Sequence, residues 1–226
     1  MDWKTHNQEI MSCRKCPRLV AWREQVAREK KAAYRDWEYW GKPVPGFGDE
    51  KGRVMVVGLA PGAHGSNRTG RMFTGDASGN FLYPALYRAG FCNRPLAVSA
   101  DDGLELKELY ITAIVRCVPP KNKPSQEEIE NCRPFLLQEI ALLPNLAGFV
   151  ALGRVAFEQM LKIYQQYYFY RFPQKPLFAH NTFYEFPNLP WLLASYHPSR
   201  QNTQTGRLSE AMFAAVWEKV ALKVKR

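Results

Sequence analysis

The chain has 226 residues, 46% hydrophobic and 13% aromatic, with 31 Lys and Arg against 21 Asp and Glu, a net charge of +10. That composition excludes a disordered chain, supplies apolar material for one α/β unit with a sizeable core, and suits a polyanionic partner. No apolar run reaches the length of a membrane span. The polar N-terminal stretch Met1–Cys13 has no signal-peptide apolar region, so the expected setting is cytoplasmic, with no membrane partner.

From Pro17 to Trp37 the chain is basic and amphipathic and reads as one helix, closed by the turn-rich segment Gly41–Gly52. Arg53–Leu59 is a short apolar run bounded by polar and turn residues, a predicted buried strand. Leu109–Val115, Gly148–Leu152 and Trp191–Ser195 have the same form. Helices are predicted between and after them. One covers Gly79–Ala89. The next begins at the capping-box pattern Ser125–Glu128 and continues with Ile129, Cys132, Leu136 and Ile140 on one face. A third covers Arg154–Tyr167, and the last Leu208–Lys225, with Leu208, Met212, Val216 and Val220 at four-residue steps. Alternating strands and helices predict an α/β fold, a parallel sheet covered on both faces. No repeat, low-complexity tract or linker divides the chain, so residues 1–226 read as one domain.

The most telling run is residues 58–79, GLAPGAHGSNRTGRMFTGDASG, which holds six glycines and follows the first predicted strand. A strand that empties into such a loop brings backbone close to a ligand. Neither G-x-G-x-x-G nor G-x-x-x-x-G-K-[ST] occurs in it, which disfavours a nucleotide site. Asp76 is its only carboxylate; it can position or activate a water, or cap the helix beginning just after it. Phe73 offers a flat ring to stack on a base. Gly62, Ala63, His64 and Asn67 are further pocket candidates. In such folds the ligand sits beyond the carboxyl ends of the strands. The glycine-rich loop, Arg116–Pro124 and Tyr196–Asn202 all leave those ends and are expected to converge. Within them, Asn122 is placed to bond a ligand or shape a turn. His197 is placed to stabilise negative charge at a strand's exit, or to cap or pack the core.

The five cysteines, Cys13, Cys16, Cys92, Cys117 and Cys132, are odd in number, which argues against a disulfide framework. Cys13 and Cys16 form a C-x-x-C pair, and with Cys117 and Cys132 they can make one four-sulfur site. An iron–sulfur cluster is the first reading and zinc the second, because the gap from Cys117 to Cys132 is too long for a zinc-ribbon knuckle. Unrelated buried thiols are the plain alternative. Cys92 reads as an isolated core or surface thiol.

Together the glycine-rich loop, the four-cysteine pattern, Arg116–Asn122 (RCVPPKN) and His197-Pro198-Ser199 resemble the uracil-DNA glycosylase superfamily, and the loop resembles its family 5, the type b enzymes of thermophiles. The resemblance implies a three-layer α/β/α sandwich with a central four-stranded parallel sheet. It also implies a structural [4Fe–4S] cluster on Cys13, Cys16, Cys117 and Cys132, and hydrolysis of the N-glycosidic bond of a deaminated base in double- or single-stranded DNA, by a monomer. Asp76 and His197 would be catalytic, and the His197–Asn202 loop would enter the duplex. Better-known members carry a polar residue in the motif that here reads Gly58-Leu59-Ala60-Pro61-Gly62, and an Asn where Ala113 stands. Loss of that amide predicts a less discriminating pocket. Leu59 and Ala60 support the competing reading, a non-catalytic nucleic-acid-binding module stapled by a four-cysteine metal site.

Overall fold

The four predicted apolar runs form strands and lie side by side. A computed structural model describes residues 1–224; Lys225, expected to close the last helix, lies outside them. In chain order the elements are α1 (Trp3–Ser12), α2 (Pro17–Glu29), β1 (Phe47–Gly48), β2 (Val54–Gly58), α3 (Ser66–Thr69), α4 (Ala77–Arg88), β3 (Leu109–Ala113), α5 (Gln126–Leu142), β4 (Gly148–Leu152), α6 (Arg154–Gln166), β5 (Thr182–Phe186), β6 (Leu189–Ser195), α7 (Arg200–Gln204) and α8 (Glu210–Val224), with 3-10 turns at Ala32–Tyr34 and Pro120–Asn122.

The sheet runs β1-β3-β2-β4-β6-β5. Its four central strands are parallel, with Val54 opposite Leu109 on one side and Gly148 on the other, and Gly148 opposite Trp191. Two edge strands, β1 and β5, run antiparallel and make the sheet six-stranded instead of four. Phe47–Gly48 is two residues long and sits in a turn-rich stretch, while β5 is half-exposed, so neither carries the apolar signature of a buried strand.

Alternation along β2 sorts the core into two layers. Val54 and Val56 pack with Leu82 and Leu86 of α4 and Phe213 and Trp217 of α8. Met55 and Val57 pack with Leu136 and Ile140 of α5 and Phe157 and Met160 of α6. The sheet is thereby covered on both faces, as a parallel sheet must be. Ser125 caps α5 in a full capping box with Glu128. The expected Pro17–Trp37 helix ends at Glu29, because Lys30 turns to a positive φ of 53°. The residues after it leave the helix and stack elsewhere. Among the described residues no helix is long and apolar enough to cross a membrane.

A buried ion pair anchors the chain leaving β3. Arg116 and Glu139 meet at 2.6 Å and are 1% and 0% exposed; Thr112 donates to the same carboxylate at 2.7 Å and receives a bond from Arg116. Removing one partner of such a pair strands the other charge. Glu139→Ala is therefore expected to cost about 3–5 kcal/mol, measured by denaturant unfolding, and much less if Arg116 is replaced by Met in the same chain. An equal loss in the double variant would mean that packing, not charge, sets the cost.

Candidate active site

An open cavity of about 810 Å³ lies at the carboxyl ends of the parallel strands, large enough for a nucleoside. The three predicted loops meet there: Leu59 to Ser66 and Met72 to Ser78 from the glycine-rich loop, Asn122 from the turn after β3, and His197 with Ser199–Gln201 after β6. A fourth wall was not legible in the sequence. Lys31 and Tyr34, from the turn where the expected long helix breaks, also line the cavity.

Asp76 fills its predicted cap role with one oxygen and leaves the other at the cavity wall. Oδ1 accepts from the backbone N–H groups of Ser78 and Gly79 at 3.0 Å and caps α4. Oδ2 takes no hydrogen bond within the described residues and rests against Gly62 and Gly65. A Cβ at Gly65 would fall 2.0 Å from it, and one at Gly62 2.8 Å, so only glycine leaves the carboxylate room. Burial raises the Asp76 pKa above the ordinary carboxylate value, and the two amide bonds and the Arg68 charge oppose it.

Phe73 and His197 also line the cavity, ring centroids 5.8 Å apart and tilted 30°. Phe73 is a non-glycine residue at φ 53°; the neighbourhood over-determines this strained backbone. Its ring presses on Gly58, where a Cβ would sit 2.8 Å away, and its carbonyl presses on Gly79. The His197 ring makes no hydrogen bond among the described residues, and burial pushes its pKa down to about 4. The imidazole is neutral across the neutral range and has an N–H to give.

The remaining candidates divide. Gly62, Ala63 and His64 line the cavity, and Asn122 lies exposed on its rim at φ 55°. Lys31 N–H donates to the Tyr39 hydroxyl at 3.4 Å, and that hydroxyl lies 3.0 Å from His64 Nδ1. Burial, Lys31 and Arg68 all lower the His64 pKa. Asn67 does not reach the cavity, a correction to the sequence reading. It is fully buried and its amide donates to the Arg23 carbonyl of α2 at 3.2 Å, latching the loop to the N-terminal helices. Leu59 and Ala60 line the cavity, whereas Ala113 packs in the core away from it.

Cys13, Cys16, Cys117 and Cys132 line a second, small cavity. Arg23 points Nη1 at Cys117 Sγ from 3.0 Å, and Asn131 points its amide at Cys16 Sγ from 3.6 Å. N–H groups aimed at sulfur are the donors that cluster thiolates take up. Burial pushes the Cys117 thiol up to about 11 and the Cys132 thiol up to about 12, so holding them as thiolates requires a cationic group. Among the described residues, no three His, Cys, Asp or Glu side chains are gathered to hold a single metal ion. Cys92 stands apart, buried against the carbonyls of Tyr83 and Arg94.

Comparison with known proteins agrees with this geometry. The family model described as "Uracil DNA glycosylase superfamily" matches residues 45–221. The chain belongs to the uracil-DNA glycosylase superfamily. A Thermus thermophilus protein named type-5 uracil-DNA glycosylase is 52% identical over 216 residues, which span 96% of this chain and 95% of that protein. Proteins of the same name from Mycobacterium leprae and Pyrobaculum aerophilum are 49% and 45% identical, over 91% and 94% of this chain and 89% of each of theirs. A type-4 uracil-DNA glycosylase of Pyrobaculum aerophilum is 32% identical over 72% of this chain and 66% of its own length.

Proposed function

We propose that this chain is a monofunctional DNA-repair glycosylase that hydrolyses the N-glycosidic bond of uracil and other deaminated bases in DNA, leaving an abasic site. The observation that carries this reading is a carboxylate with one uncommitted oxygen, Asp76 Oδ2, in one cavity with the Phe73 ring and the neutral imidazole of His197.

The residues divide the work. Lys31 and Arg200 at the cavity and the wider basic surface engage phosphates. The damaged nucleotide leaves the stack, which costs least for a mispaired base, and Phe73 stacks on it. The His197–Asn202 segment, stiffened by the first turn of α7 and by the Asn202 amide on the His197 carbonyl at 2.9 Å, takes the vacated place in the duplex. As the bond to the sugar breaks, its electron pair stays with the base. The His197 N–H stabilises that anion. Asp76 Oδ2 offsets the cationic sugar and orients the water whose oxygen bonds to C1′, while the water's proton leaves through solvent or the carboxylate. Leu59 and Ala60 offer the base no polar side chain, which supports a permissive pocket.

Cys13, Cys16, Cys117 and Cys132 would hold a [4Fe–4S] cluster. When bound it would supply iron for these four thiolates to ligate, tying the N-terminal helices to the exit of β3 and to α5, a structural role away from the cavity. Purified protein is expected to be brown, with iron and sulfide in equal amounts, and Cys117→Ser is expected to lose iron and to lower the unfolding temperature. Stoichiometric zinc without iron would overturn the cluster.

The activity is tested by single-turnover base release from duplexes carrying uracil, hypoxanthine or xanthine, with unmodified thymine as control. Release of uracil and at least one of the others is expected, with binding that weakens steeply as salt rises. Tight DNA binding with no release of any base would favour the non-catalytic binding module.

A further inference from the structure

Arg68 takes no part in the chemistry above, yet its side chain is buried and held by two aromatic rings and two backbone carbonyls. It is 4% exposed. Its guanidinium carbon lies 3.9 Å from the centroid of the Tyr34 ring and 4.1 Å from that of Trp37. Nε donates to the His64 carbonyl at 2.8 Å, and Nη2 donates to the Gly75 carbonyl at 2.9 Å. Nη1 is buried with no partner. No carboxylate pairs with Arg68 among the described residues. A buried cation without an anion is costly, and the two flanking rings offset part of that cost by cation–π attraction.

The two carbonyls Arg68 grips bracket the catalytic turn. His64 precedes Gly65, whose missing side chain makes room for Asp76, and Gly75 immediately precedes Asp76. Gly75 sits at φ 75°, and a Cβ there would fall 2.4 Å from Nη2, so the grip and the glycine require each other. Tyr34 also lines the cavity.

We propose that Arg68 is a positioning residue for base excision: clamped between Tyr34 and Trp37, it ties His64 to Gly75 and so fixes the Asp76 carboxylate toward the bound nucleotide. This rests on the reading of Asp76 as the group that handles the water. Arg68 has a second effect through its charge, which favours the ionised form of Asp76 against burial. Around that carboxylate stand Arg68, the Tyr83 hydroxyl of α4 and, elsewhere on the cavity wall, the depressed imidazoles of His64 and His197, with Lys31 and Arg200 further along it. Arg68 is the charged group acting on it directly.

Arg68→Met, which keeps length and removes charge and fork, and Arg68→Lys, which keeps charge and removes the fork, test this. Single-turnover uracil release is followed against pH, together with binding to an abasic duplex and the unfolding temperature. Arg68→Met is expected to slow release roughly 10²-fold and to move the acid limb to higher pH, while abasic-site binding holds. Arg68→Lys is expected to lower the plateau but keep the limb near its wild-type position. In an Asp76→Asn background, Arg68→Met should add little. A folded Arg68→Met with wild-type rate and limb overturns the proposal, as does a full additional loss in the Asp76→Asn background. If Arg68→Met does not fold, a folded Arg68→Lys with a wild-type plateau overturns it. Carboxyl NMR titration of Asp76 in wild type and in whichever Arg68 variant folds separates this proposal from the activity. If wild type releases no base, the glycosylase reading fails; an Asp76 midpoint or carboxyl environment unmoved by the Arg68 substitution fails this proposal.

Discussion

Asp76→Asn is expected to slow base release by on the order of 10²–10⁴-fold while leaving the protein at least as stable as the parent. The asparagine keeps an Oδ1 to accept from Ser78 and Gly79, so the α4 cap survives. What it loses is the negative charge of the free oxygen. Folding raises this carboxyl's pKa, so the folded state favours the protonated form. Stability from this group is therefore present at low pH and declines as pH rises through the folded value. At neutral pH a neutral amide removes a penalty. The comparison with Asp76→Ala is decisive, since alanine loses the cap as well and should cost about 0.5–2 kcal/mol. Single-turnover kinetics and thermal unfolding of the two variants check this; Asp76→Asn with parental rate would remove Asp76 from the chemistry.

His197→Ala is expected to lose about 10²–10³-fold in single-turnover rate, the cost of one donor at a developing anion. The pH dependence is as informative as the rate. Burial holds the imidazole neutral down to about 4, against an ordinary value of 6.5. A neutral donor gives a rate with no inflection of its own between neutrality and that limit, whereas a catalytic imidazolium would give a rate that climbs as pH falls through 6.5. Stability moves the other way. Below 6.5 the unfolded chain takes up a proton that the folded ring refuses until about 4, so the parent loses stability across that window and His197→Ala loses less. A parental rate in the variant would return His197 to the bland role of a packed ring.

Much of this site could be read before any fold was known, because its chemistry is concentrated in one run. Six glycines around a single carboxylate announce close backbone approach, and the four apolar runs place that loop at the end of a parallel sheet. Which loop residue points inward could not be read. Asn67 and His64 are three positions apart, yet one latches to Arg23 and the other lines the cavity; backbone turns decide this, and no periodicity applies inside a loop. The break at Lys30 was equally hidden, since no Gly or Pro marks it. With it went the Lys31–Tyr34 wall and the rings around Arg68. The edge strands were missed because a strand that is short or half-wet has too few apolar residues to show a pattern.

The order of the strands in space has a consequence for how the chain is made. β2, one of the two central strands, is synthesised before both of its partners: β3 follows only after the whole glycine-rich loop and α4, and β4 only after α5. Val54–Gly58, buried at every position in the finished sheet, must leave the ribosome with nothing to pair with. Parallel pairing across such long gaps is slow to nucleate, and an unpaired apolar strand is a template for wrong partners. Nascent chains halted before β3 are therefore expected to depend on chaperone capture, and chains released after β4 to fold without it.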